Sequence, residues 1–335
     1  MNILLTSVGR RAYMVKFFQS ALAGQGEVHV CNSDANTVAF LYADHHIISP
    51  MIYDPEYIPF LLSYCQDQRI DAIISLFDID LLVLAQHREH FAQIGVRVIV
   101  SDPALIAICN DKWKTYHYLL QNGFHTPKTY LTLEDTLDAL KQGDISYPVV
   151  VKPRFGCGSI SVSIAENEDD LRWCYTRNLD RINKTYLKYE SNSVEQKIVL
   201  QECLHGQEFG ADIINDLNGN FCNAIIREKL AMRSGETDIA RIVDHPEICD
   251  TLQRLGKCTR HIANMDCDIF LVNGIPYILE LNARFGGGYP FSHMAGCDLP
   301  GAIVHWLDGK PVSEQMLTAE IGYLGFKELV ITGGT

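Results

Sequence analysis

The chain lacks a long apolar run, a CxxC pair, an HExxH motif and a GxxxxGK[ST] loop. Each absence removes a class of protein. No stretch is apolar for long enough to suggest a membrane span. The opening "MNILLTSVGRR" lacks the layout of a secretory leader, so a cytoplasmic location is expected. Without a Walker loop, the P-loop nucleotide hydrolases fall away. Only Gly9 stands where a GxGxxG turn would be, which leaves a Rossmann dehydrogenase without its phosphate turn. Eleven cysteines are scattered and odd in number, so they read as reduced thiols, mostly small core residues, and not as a disulfide framework. His45–His46 and the pair His87 and His90 read as surface or satisfied core residues, not as ligands. Positive charge is also short. Lys and Arg number 28 against 41 Asp and Glu, a net charge of −13, so neither nucleic acid nor an anionic membrane is an expected partner. A local basic pocket is still allowed.

What is present is an ordinary globular composition, 47% hydrophobic and 21% charged over 335 residues. That length suits two domains, or one large domain with an insertion. "NILLTSV", "EVHVCNSD", "DAIISLFD" and "VRVIVSD" read as strands, separated by the helical patterns "RAYMVKFFQSALAGQG", "EYIPFLLSYCQDQ" and "DIDLLVLAQHREHFAQIG". This βαβα order predicts a parallel sheet with helices on both faces, with ligands off the carboxyl ends of its strands near Gly9, Asp34 and Asp78. The texture changes after that. A helix opens near Asp111 and stops at Gly123, and "YPVVVKPRFGCGSISVSIA" reads as two strands joined by a glycine loop. "KIVLQECLHGQEFGADIINDLNGNFCNAIIREKL" reads as a strand meander with an NGN turn. A helix over about Pro246–Met265 leads to a hairpin turning at Asn273–Gly274, and "DLPGAIVHWLDG" closes with a last helix.

The chemistry concentrates in three places. In "YILELNARFGGGYP", strand alternation puts Glu280, Asn282 and Arg284 on one face and Leu279, Leu281 and Ala283 on the other. A carboxylate and an amide oxygen are hard ligands of the kind Mg²⁺ prefers. An arginine followed by three glycines that let a backbone come close suits a phosphate or carboxylate. The plain alternative is the exposed polar face of an edge strand. In "VVVKPRFGCGS", Lys152 ends an apolar run before a loop with Gly156, Gly158 and Ser159, whose N–H groups can turn onto phosphate oxygens. The alternative there is a glycine-turned hairpin with a snorkelling lysine. In "LQECLHGQEFG", Glu202 and Glu208 follow a strand, where backbone can read an adenine edge and a carboxylate can hold ribose hydroxyls, or both acids are merely solvated. Asp268 lies across the Asn273–Gly274 turn from Glu280, so Asp268, Glu280 and Asn282 can meet around one or two Mg²⁺ ions.

Five segments in order, "NDKWKTYHYLLQNGFHTP", "YPVVVKPRFGCGSISV", "LQECLHGQEFGADI", "DIFLVNGIPYILELNARFGGG" and "MAGCDLPGAIVHWLDG", resemble the ATP-grasp superfamily. The likeness is to short relatives of the carbamoyl-phosphate synthase large subunit. It implies an N-terminal α/β parallel-sheet domain (1–109) followed by an α+β ATP-grasp fold of two subdomains clasping ATP (110–310, with a lid at about 128–200). Residues 311–335 would complete the C-terminal subdomain.

The resemblance also implies roles. Lys112 and Lys152 contact nucleotide phosphates, with Lys152 near the α-phosphate and adenine. Gly156, Cys157, Gly158 and Ser159 form a loop over the β- and γ-phosphates. Glu202 and the backbone of Leu204 bind adenine, Glu208 the ribose, and Asp268, Glu280 and Asn282 hold Mg²⁺, with Mn²⁺ as a substitute. Arg284 stabilises the transferred phosphoryl group, while Arg227 and Arg233 face the phosphate and carboxylate end.

The expected activity is a carboxylate–amine (or carboxylate–thiol) ligase that forms an acyl phosphate and releases ADP and phosphate. Its partners are small-molecule carboxylates and amines, and relatives suggest a homodimer. The rival readings are a small-molecule phosphotransferase and a non-catalytic nucleotide sensor on the same fold. Three features depart from the pattern. Asp268 stands where many relatives carry Gln or Glu, the phosphate loop holds Cys157, and no biotin-carboxylating or glutamine-amidotransferring module is present. A single grasp unit argues against carbamoyl-phosphate synthesis itself.

Overall fold

The structure is a computed structural model that describes residues 1–156, 161–190 and 194–333. Strands β1 (Ile3–Thr6), β2 (Val28–Asn32), β3 (His45–Ile48), β4 (Ala72–Ser75) and β5 (Arg97–Val98) form a parallel sheet in the order β3-β2-β1-β4-β5. β1 and β4 are buried along their whole length, as parallel strands covered by helices must be. β3, at the edge, was missed in the sequence because "HHII" is exposed and shows no apolar alternation.

A four-stranded sheet in the order β6-β9-β7-β8 joins β6 (Thr129–Tyr130), β7 (Val149–Pro153), β8 (Ser163–Ala165) and β9 (Ile198–Glu202). Val149 and Val151 point into its core with Leu171, Ile198 and Leu200, so this layer has an apolar core of its own. The largest layer is an antiparallel sheet, β14-β13-β10-β11-β12-β15, built from β10 (Gln207–Asn215), β11 (Phe221–Arg233), β12 (Glu236–Val243), β13 (Asn264–Val272), β14 (Ile275–Asn282) and β15 (Leu324–Phe326). It shares a core with the N-terminal sheet, where Ile3, Leu5 and Phe18 pack with Ile214, Phe285, Leu299 and Ile303. The smaller layer is therefore the part that can move against the other two without tearing a common core.

Asn273 and Gly274 take φ of 51° and 78°, the left-handed pair that a tight hairpin between β13 and β14 requires. The helix expected to reach Met265 ends earlier, at Thr259. Arg260 turns left-handed (φ 48°), and Met265 is already inside β13, fully buried against the helix it was assigned to. Among the described residues, no helix is long and apolar enough to cross a membrane.

Candidate nucleotide and metal site

A cavity of about 380 Å³ opens between the four-stranded layer and the antiparallel sheet. That size falls within the range of small-ligand pockets. Strand alternation explains its lining. On β7 the core takes Val149 and Val151, which turns Val150 and Lys152 to the cavity. On β13 the core takes Cys267 and Ile269, which presents Asp268 and Phe270. Of the expected residues, Lys112, Lys152, Gly156, Glu202, Leu204, Glu208, Asp268 and Glu280 all line this one space. Cys157, Gly158 and Ser159 lie outside the described residues.

Lys112 is the first residue of the helix Lys112–Gln121, whose N-cap is Asp111. Asp111 also accepts from Arg154 Nε and Nη2, both at 2.7 Å, which ties the helix start to the strand end that carries Lys152. Lys112 Nζ reaches Glu280 Oε1 at 2.9 Å and donates to the Gly156 carbonyl at 2.5 Å. Gly156 has φ of 94°, and a Cβ there would stand 2.3 Å from Leu187 Cδ2, so glycine is required. Burial pushes the Lys152 ammonium down to about 8, with Glu280 opposing that shift, Lys112 adding to it and Asp268 opposing it.

Asp268 and Glu280 are register partners on β13 and β14, as their spacing across the turn predicted. Burial raises the Asp268 carboxyl against the pull of Lys229. Burial works the same way on Glu280, but Lys112 and Lys152 outweigh it and hold its carboxyl below the usual range. The expectation for Leu279 needs correction. A bulge between Asp268 and Ile269 breaks the alternation, so Ile278 enters the core and Leu279 faces the cavity beside Glu280. Asn282, 8% exposed, lines a narrower recess with Phe77, Asp78, Asn110 and Tyr186, and Glu280 and Gly156 border both spaces.

The three arginines sit elsewhere. Arg284 is buried, donating to Asp78 Oδ2 (3.1 and 3.0 Å) and pairing with Asp266 Oδ2 at 3.1 Å. Arg227 is buried against Asp212, Ser292 and Asp266 and lines neither space. Arg233 is half exposed and pairs with Asp238 on β12, because register shifts between Lys229 and Met232 break the alternation, so Met232 joins Lys229 at the cavity and Arg233 turns away. The glycines after Arg284 also serve the protein itself. A Cβ on Gly286 would meet the Asp266 carboxylate at 2.2 Å, and one on Gly288 would meet Arg227 Nη2 at 2.7 Å.

Sequence reasoning missed Lys229, whose Nζ contacts Glu208 Oε1 at 2.6 Å and Asp268 Oδ1 at 2.7 Å. Burial lowers its pKa, but the two carboxylates more than reverse this and raise it. Its signal was alternation with Arg227 in "REK". The oxygen donors fit a hard divalent cation: Asp268 and Glu280 face each other, Asn282 follows on the same strand, and each carboxylate here holds a lysine as counter-ion. Near the recess the four-stranded layer meets the N-terminal domain. Tyr53 Oη donates to Glu190 Oε1 at 2.7 Å, Tyr53 packs on Tyr189, and Phe77 packs edge-on against Tyr186.

Residues 3–99 match the PylC-like N-terminal domain, and residues 109–288 match the ATP-grasp domain. The chain belongs to the ATP-grasp family. Among curated relatives, it is 22% identical over 288 residues to the arginine-specific carbamoyl phosphate synthase large chain of Neurospora crassa, covering 77% of this chain and 23% of the relative. It is 23% identical over 315 residues to the corresponding large chain of Halalkalibacterium halodurans, covering 90% and 28%. The chain thus spans about a quarter of the length of these relatives.

Solved structures with this fold include a biotin carboxylase–β-γ-ATP complex from Campylobacter jejuni (TM-score 0.75, 17% identity, 95% of this chain and 73% of that one). Another is an L-amino acid ligase of Bacillus licheniformis (TM-score 0.72, 20% identity, 100% and 82%).

Proposed function

We propose that the protein is an ATP-dependent carboxylate–amine ligase working through an acyl phosphate, with a thiol as the alternative nucleophile. The observation that carries this is the single cavity in which Lys112 and Lys152 face Asp268 and Glu280 beneath a layer with its own core. In this reading Lys152 and Lys112 hold phosphate oxygens, helped by the Gly156 backbone. Glu202 and the Leu204 backbone receive adenine against the apolar wall of Val150, Ile164 and Phe270, and Glu208 receives the ribose. Asp268, Glu280 and Asn282 would hold Mg²⁺, or Mn²⁺ on the same oxygens, and such an ion spreads the charge of the transferring phosphoryl group. Lys112 and Lys229 then turn from carboxylate to phosphate.

The carboxylate substrate would bind at the Glu280–Asn282 end of the cavity, where an ion on those residues would offset its charge. ATP phosphorylates that carboxylate, and the amine displaces phosphate from the acyl phosphate. The closed lid keeps water from the acyl phosphate meanwhile. A homodimer of such chains is part of the same reading.

The test is a screen for ADP release from Mg·ATP with pooled carboxylates and amines, followed by mass spectrometry of the product. A condensed product made only when acid and amine are both present supports a ligase. A stable phosphorylated product from one substrate alone makes the protein a phosphotransferase, and tight ATP binding without turnover in any pool makes it a sensor.

A further inference from the structure

At the other end of the parallel sheet, away from the cleft, three potential ligands converge. Glu27 immediately precedes β2, and His29 and His45 are register partners on β2 and β3. One ligand atom from each lies within 4.8 Å of the others. His45 Nε2 stands 3.2 Å from Glu27 Oε2, and His29 Nε2 stands 3.8 Å from the same oxygen. Two ligands of one tetrahedral Zn²⁺ are separated by about 3.3 Å, given metal–ligand bonds of about 2.0–2.1 Å.

His29 supplies the second observation. Its side chain is 1% exposed, yet Nε2 has no hydrogen-bond partner. A buried imidazole nitrogen left without a partner carries a cost that a ligand removes. Its other nitrogen is engaged: Nδ1 lies 2.8 Å from Tyr64 Oη on the helix Tyr57–Asp67. Donation from Nδ1–H to Tyr64 leaves the Nε2 lone pair aimed into the cluster, which is the outer-shell arrangement that orients metal-bound histidines. Asp44, the other acid nearby, is already committed to the Val28 N–H and to Gln19.

We propose that Glu27, His29 and His45 form a divalent-metal site of the Zn²⁺ class, with water completing the coordination. His29 is the fixed ligand. Glu27 and His45 are half exposed and can turn to close on the ion from the solvent side. The ion joins the edge strand β3 to β2, and by binding the folded state alone it stabilises the N-terminal domain. His45, read from sequence as a surface or satisfied core residue, becomes a ligand only because β3 lies beside β2.

Chelator-stripped full-length protein, titrated with Zn²⁺ and separately with Co²⁺, tests this. One ion per chain is expected, with visible d–d bands for Co²⁺ and a higher melting temperature with Zn²⁺. Exposed cysteines also take such ions, so the Co²⁺ spectrum must lack a thiolate charge-transfer band. His45→Ala and Glu27→Gln, at half-exposed positions that leave the core intact, should each abolish the d–d bands. Tyr64→Phe, which touches no ion, should weaken binding by about 10–100-fold. Glu280→Gln should retain it. The proposal is overturned if the wild type binds neither ion up to millimolar concentration, if the spectrum is that of a thiolate site, or if His45→Ala binds as the wild type does.

Discussion

Two charged networks lie side by side under the cleft, and they are built differently. Behind it, Arg227 and Arg284 fork onto Asp212, Asp266 and Asp78, with Asp212 fully buried and Arg227 2% exposed. Facing the cavity, Lys112, Lys152 and Lys229 stand among Glu280, Asp268 and Glu208, whose side chains keep 20–30% exposure. The guanidinium is a rigid fork matched to carboxylates and stays charged, so it suits permanent joints between strands and domains. The ammonium is a point charge on a flexible stem and can trade a carboxylate for a phosphate. One network is a fixture, and the other is a set of counter-ions waiting for an anion.

The largest effect expected from this contrast is on Glu280. Glu280→Gln keeps the volume but removes the charge that would hold Mg²⁺ between phosphates. Phosphoryl transfer should fall by about a thousandfold or more, roughly 4 kcal/mol in the transition state. The melting temperature should hardly change. An early-melting variant that turns over ATP at the wild-type rate would sink the metal assignment.

The arginine network should respond in the opposite way. Arg227→Met strands Asp212 in the core and should cost about 3–5 kcal/mol of stability. Adding Asp212→Leu should recover much of that loss, as replacing a whole buried pair does. A single variant that melts with the wild type would show that the two networks do not differ as argued.

A smaller effect is the ligand's own. Mg·ATP at about a hundred times its Kd should stabilise the fold by about 2.7 kcal/mol. The gain should survive Arg233→Ala, since Arg233 is turned to Asp238 and away from the cavity. No shift of the melting curve with either ATP or ADP would remove the nucleotide site.

The finest test concerns the Lys152 proton. Its ammonium titrates at about 8 in the empty cleft, and phosphate oxygens would raise that value by favouring the charged form. Near pH 8, nucleotide binding should therefore take up about half a proton, and near pH 6 none, because the amine is already charged. Calorimetry in buffers of different ionisation enthalpy reads this directly. Equal uptake in wild type and Lys152→Met would assign the proton to another group.

Several of these features were legible in the sequence. The apolar run of "VVVKP" marked the strand that ends in Lys152, and the Asn-Gly turn fixed the Asp268–Glu280 pairing, because local backbone rules settle both. The βαβα order carried the parallel sheet for the same reason. Leu279 could not be placed, since a bulge is a property of two strands together.

By itself, then, the sequence carried most of the strands, the turn and the order of the layers, because these follow from periodicity and residue type, and it named the residues proposed for phosphate and metal chemistry. Only the tertiary structure decided which cation meets which anion. Arg227, Arg233 and Lys229 are all basic residues of one strand, yet one is buried against Asp212, one turns to Asp238 and one faces the cavity. The glycines at 286 and 288 make room for Asp266 and Arg227, contacts set by strands distant in sequence. Pairings of that kind depend on which strands become neighbours, and no local pattern encodes them.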